Sequence, residues 1–171
     1  VILVTTPTAL RLPAGLEVVA VRSAQEMLAA LQAHYASLDA LIMVAAVADF
    51  RVEAPAGQKV KRGEHALDLR LVPNPDLLAA TAPLHGERRP IRVGFAAETQ
   101  DLVDHATEKL ARKSLDLIVA NDVSGDVFGS EHNAVSLLWS DGRRQDIERL
   151  LKTQIAERVL DAVAALVSSR G

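Results

Sequence analysis

The sequence predicts a doubly wound α/β domain on a mostly parallel sheet, with a β-hairpin protruding from it. Three observations predict it. Short runs rich in β-branched residues recur along the 171 residues, with helical patterns between most of them. Those runs are almost continuously apolar, as expected for strands covered on both faces. One segment, residues 59–72, instead shows two short period-two runs about a glycine, which reads as a hairpin outside the parallel sheet. Strands alternating with helices give a Rossmann-like architecture in a single domain, 1–171, with no internal repeat or low-complexity tract.

The strands are VILVTT (1–6), LEVVAV (16–21), ALIMVAAV (40–47), IRVGFAAE (91–98) and LDLIVAN (115–121). NAVSLLWS (133–140) alternates more and is followed by Asp141–Gly142, so it reads as an edge strand turning into the last helix, 146–168. Helix starts are marked as well. Ser23 with Glu26 makes a capping-box pattern ahead of Met27, Leu28 and Leu31. Asn74 followed by Pro75 reads as an N-cap with proline at the first helical position. Asp101 starts a helix carrying Leu102, Val103, Ala106 and Leu110 on one face.

Composition narrows the function classes. A net charge of −3 gives no general reason to expect nucleic-acid binding. There is no cysteine, which excludes disulfides and thiolate metal sites. The histidines show no zinc-ligand spacing. No apolar run approaches the roughly 18 residues of a membrane span, VILVTT lacks the basic flank of a signal peptide, and a cytoplasmic setting is expected. Val1 opens directly into a strand, which suggests a missing piece upstream.

In open α/β sheets, ligands bind beyond the carboxyl ends of the strands. Strand 40–47 is followed by Asp49, a carboxylate whose burial would be costly unless it meets a partner or ligand. Strand 91–98 carries Phe95 and ends in Glu98 and Thr99. Strand 115–121 ends at Asn121, with Asp122 and Ser124 next. Each alone is as readily a cap or turn residue as a site, but they share one predicted sheet edge. Lys59, Lys61 and Arg62 crowd the hairpin start. Lys109 and Lys113, spaced i, i+4, share a helix face and can straddle a polyphosphate, although for an arbitrary pair of this kind a solvated surface is the commoner explanation. No GxGxxG or GxxxxGK[ST] cradle is present.

AAVADF, KVKR, NPDLL, VGFAAET, KLARKSLDLIVANDVS and FGSEHNAV occur in this order. Taken together, they resemble the phosphopantothenoylcysteine synthetase domain of bacterial coenzyme A biosynthesis, often fused behind a flavin-dependent decarboxylase. The resemblance covers nearly the whole chain. It implies a magnesium-requiring ligase that joins 4′-phosphopantothenate and L-cysteine through an acyl-cytidylate formed from CTP. It implies nucleotide contacts at Met43, Val44, Ala45, Asp49, Lys59, Asn74, Pro75, Asp76, Leu77, Phe95, Lys109 and Lys113. Lys59 would stabilise charge at the α-phosphate, and Asp49 would act through nucleotide-bound Mg²⁺. It also implies a homodimer built through hairpin 59–72. Arg62 stands where the family pattern Lys-x-Lys-Lys has its last lysine. The family's glycine-rich segment, its Asn-x-Ser-Ser-Gly pattern and a central strand would lie upstream of Val1, so catalytic competence is not expected of these residues alone. Two other readings stay open: an NAD(P)-dependent reductase on a similar sheet, and a non-catalytic nucleotide-binding module.

Overall fold

The computed structural model describes residues 1–62, 66–82, 89–98, 102–122 and 130–170. The element order is β1 (Ile2–Thr5), β2 (Glu17–Ala20), α1 (Ala24–His34), a 3₁₀ turn (Tyr35–Ser37), β3 (Ala40–Met43), β4 (Phe50–Val52), β5 (Leu71–Pro73), α2 (Leu77–Thr81), β6 (Ile91–Glu98), α3 (Leu102–Arg112), β7 (Leu117–Asp122), β8 (His132–Trp139), β9 (Arg144–Leu151) and α4 (Lys152–Ser168).

The main sheet has the order β3-β6-β7-β8-β9. Its first three strands are parallel, and β8 and β9 are added antiparallel. β1 and β2 form a separate parallel pair, and β4 and β5 an antiparallel one. Continuous apolar runs have the expected consequence. In β7, Ile118 and Ala120 face a core with α1, α2 and α3, while Leu117 and Val119 face a second core with α4. Ile155, Val159 and Val163 form the buried stripe of α4 at helical spacing. Helices on both faces are the doubly wound arrangement.

Several expectations are corrected. Residues 144–151 are a strand, and the last helix begins only at Lys152. Asp141–Gly142 turns the chain into a hairpin, with Gly142 at φ +89°, so β8 is internal and β9 is the edge. β3 ends at Met43 and residues 44–46 are exposed, so Asp49 is not a buried charge; its residue is exposed. The N-cap of α2 is Asp76, whose side chain accepts from Ala79 N–H, rather than Asn74.

The hairpin exists, but its paired arms are Phe50–Val52 and Leu71–Pro73, extended by Glu53 N–H donating to Arg70 O at 2.9 Å. Lys59 to Arg62 belong to no strand. Val60, Leu67 and Leu69 are all more than half exposed, so pairing there would bury them against none of the described residues. Gly63, Thr99, Asp101 and Ser124 lie outside the described residues.

Candidate functional site

A cleft of about 460 Å³ opens beyond the carboxyl ends of β3, β6 and β7. Its walls are the loop 44–49, the Asn74–Leu78 entry into α2, Phe95 to Ala97 on β6, Asn121 on β7, and Lys113. The structure therefore brings together Met43, Val44, Ala45, Asp49, Asn74, Pro75, Asp76, Leu77, Phe95 and Lys113. Lys59 and Lys109 are not among the lining residues.

Asn74 fastens two of the walls. Pro75 favours extended backbone at Asn74, and there Asn74 N–H donates to Asp49 O at 2.7 Å while Nδ2 donates to Ala48 O at 2.8 Å. The Oδ1 atoms of Asn74 and Asn121 are buried and have no hydrogen-bond partner among the described residues. Asn121 was only one of several strand-end polar residues in the sequence; its placement in the cleft comes from the β6–β7 register.

The charged end of the cleft is an ion pair. Lys113 Nζ lies 3.0 Å from Asp76 Oδ2, while Asp76 Oδ1 accepts from Ala79 N–H at 3.2 Å. Partial burial pushes the Asp76 pKa up, but the hydrogen bonds from the Lys113 ammonium and Ala79 N–H outweigh it. The net pKa lies below the ordinary carboxylate value.

Lys113 owes its position to the way α3 ends. Leu115 N–H donates to Leu110 O at 3.0 Å and Ser114 N–H to Ala111 O at 3.1 Å. This is a Schellman closure with Ser114 in the left-handed position, φ +50°. Leu110 and Leu115 are buried in the same core, the apolar contact that accompanies this motif. Lys113 sits at the turn, and its extended side chain reaches the cleft; Lys109, one turn earlier, does not line it.

Beneath the cleft lies a buried polar cluster that sequence reasoning missed. Arg92 and Asp116 are at 0% and 2% exposure. Asp116 accepts from the backbone N–H of Arg92 at 2.8 Å and from the guanidiniums of Arg89 and Arg170. Arg89 is thus anchored inward. Arg92 Nη1 donates to Lys113 O at 2.8 Å and Ser114 O at 3.2 Å, and Nη2 donates to Leu78 O. An arginine inside an apolar strand carries no sequence signal of which carbonyls it will meet.

Fold and cleft define a doubly wound α/β domain with a cleft at its strand ends, lined by a lysine and a capping carboxylate. The chain belongs to the family described as the DNA/pantothenate metabolism flavoprotein C-terminal domain, whose model matches residues 1–167. It is 48% identical over 146 residues to the coenzyme A biosynthesis bifunctional protein CoaBC of Vibrio parahaemolyticus, covering 83% of this chain and 36% of that protein. It is 38% identical over 174 residues to CoaBC of Bacillus subtilis, covering 100% of this chain and 42% of that protein. A solved C-terminal domain of CoaBC superposes with a TM-score of 0.81 at 32% identity, covering 98% of this chain and 74% of that one. The chain thus spans about two fifths of the length of the curated relatives it matches.

Proposed function

We propose that the chain is the nucleotide-binding part of a phosphopantothenate–cysteine ligase that uses CTP. The single observation carrying this reading is the cleft, which joins the loop 43–49, the Asn74–Leu77 segment and the Lys113 ammonium at the strand ends. Its volume suits a small ligand of nucleotide size. The family membership and the relatives' place in coenzyme A biosynthesis support it.

In this reading the phosphopantothenate carboxylate forms a bond to the α-phosphorus of CTP, and pyrophosphate leaves with the electrons of the broken P–O bond. The cysteine amine then bonds to the acyl carbon, CMP leaves, and the amine loses a proton. Lys113 attracts the polyphosphate in exchange for its pairing with Asp76. Lys109 adds positive charge one turn away. Backbone groups of Met43–Ala45 and Asn74–Leu77 read the base beside Phe95. The unsatisfied acceptors of Asn74 and Asn121 suit a base bearing N–H donors, after a small side-chain rotation. Lys59 supports charge at the α-phosphate from the loop between β4 and β5.

No cluster of three metal-ligating side chains exists among the described residues. The fit is therefore to Mg²⁺ carried on the nucleotide phosphates, with Asp49 as the protein carboxylate. Bound there, Mg²⁺ would neutralise phosphate charge.

Three further parts belong to the same reading. β1 and β3 each pair on one side only, yet Val4 and Met43 pack on one core; a strand from a glycine-rich segment outside these residues fits between them. A fused decarboxylase and a cytoplasmic setting belong to this reading, supported by the likeness to bifunctional coenzyme A biosynthesis proteins. The exposed Val60, Leu67, Leu69 and Leu71 are covered in a two-fold homodimer. Light scattering at micromolar concentration is expected to give the dimer mass; a monomer overturns that part.

Calorimetric titration with CTP, ATP and NADPH, each with Mg²⁺, tests the central reading. Saturable CTP binding is expected. Binding of NADPH alone would replace the ligase with a reductase.

A further inference from the structure

We propose that Arg92 is a positioning residue for the nucleotide cleft, holding Lys113 in reach of the ligand by clamping its backbone to α2. The inference rests on the ligase reading for what Lys113 binds, but its geometry is independent of it.

Arg92 is absent from the cleft lining and fully buried. Its guanidinium meets three carbonyls from two elements: Lys113 O and Ser114 O at the end of α3, and Leu78 O in α2. Leu78 follows Asp76 by two residues. The clamp therefore fixes the backbones on both sides of the Lys113–Asp76 pair, whose charged atoms lie 3.0 Å apart at the cleft. A guanidinium also suits the carbonyl end of α3, where the helix dipole favours a cation.

The burial does not look optimised for stability. Arg92 Nε has no hydrogen-bond partner among the described residues, and only the backbone N–H of Arg92, not its guanidinium, bonds to Asp116. Removing the guanidinium leaves Lys113 O, Ser114 O and Leu78 O without this donor, so some loss of stability accompanies the loss of the clamp. Planar, multidirectional donation is what arginine supplies here and lysine cannot.

The test uses Arg92→Met, Arg92→Lys, Lys113→Ala and the double variant Arg92→Met/Lys113→Ala. Arg170→Met serves as control, because Arg170 touches Asp116 but none of the three clamped carbonyls. The first readout is the Asp76 titration by carboxyl NMR without nucleotide. Arg92→Met is expected to move it up toward the ordinary carboxylate value, because Lys113 is no longer held, while Arg170→Met leaves it in place. The second is calorimetric affinity for CTP with Mg²⁺. Arg92→Met is expected to weaken it about tenfold when Lys113 is present and scarcely at all in the Lys113→Ala background. If Arg92→Met fails to fold, Arg92→Lys carries the same comparison. Additive losses, an unmoved Asp76 titration, or an equal effect of Arg170→Met would each overturn the proposal. A moved Asp76 titration in a protein that binds no CTP in any form supports the positioning role and overturns the ligase reading instead.

Discussion

Ser114 is the only non-glycine residue at positive φ among the described residues. An L-residue held there costs roughly 1–2 kcal/mol, part of which glycine gives back through its freer unfolded state. Ser114→Gly is therefore expected to gain about 0.5–1 kcal/mol, raising Tm by roughly 2–3 °C. Thermal unfolding followed by circular dichroism reads this, and Ser114→Ala should show no gain. Asp76 sets a second residue-scale expectation. Its folded pKa is depressed, so its contribution is present above the unfolded value of about 3.9 and is lost as pH falls through the lower folded value. A Tm-against-pH series is expected to show an acid-side drop below about pH 4 that shrinks in Asp76→Asn; identical slopes would mean that the ion pair with Lys113 is inconsequential in solution. Asp76 was legible as part of NPDLL, but its pairing with Lys113 was not, because the two meet only through the folding of α2 against the end of α3.

Elements were legible where burial is two-sided. β6 and β7 needed only their apolar runs, and α1 needed Ser23, which caps Glu26 N–H at 3.1 Å. β9 was lost because Ile147, Leu150 and Leu151 also satisfy helical spacing, and the turn signal at Asp141–Gly142 fits either continuation. The arms of the β4–β5 hairpin were misplaced for a different reason. Alternation in 66–72 gives a strand pattern, but its leucines are exposed in the single chain, so the pattern records a surface this chain alone does not bury. The loop between these strands carries Lys59. Lys59→Gln is expected to reduce acyl-cytidylate formation at least 100-fold while weakening CTP binding much less, since charge at the α-phosphate grows mainly in the transition state. Single-turnover kinetics beside calorimetry separates the two; equal losses would make Lys59 a binding anchor only.

At the scale of the whole molecule, the strand-end rule points to the edge where the cleft opens, because topology alone decides which strand ends lie together. It could not place Lys109 against Lys113, since their distance from the cleft depends on where α3 stops. Arg92 was invisible for a related reason: the carbonyls above it come from segments far apart in the chain. A ligand that bridges these walls should stabilise all of them. At 100 times its Kd, CTP contributes about 2.7 kcal/mol, a Tm rise of roughly 5–10 °C. Lys113→Ala is expected to show a clearly smaller rise at the same concentration in differential scanning fluorimetry. An equal rise would place Lys113 outside the binding contacts.

The antiparallel end of the sheet also has a temporal meaning. β7, β8 and β9 pair in chain order and α4 follows at once, whereas β3 must find β6 across the β4–β5 excursion, with Ala40 opposite Ile91. Loop closure makes nearby partners faster to find than distant ones. The C-terminal half is therefore expected to form first, with β3 and the β1–β2 pair docking onto it afterwards. Amide protons of β8 are expected to outlast those of β1 in hydrogen exchange. The cleft takes one wall from the segment after β3 and others from β6, β7 and Lys113, so it comes into being only once β3 has docked.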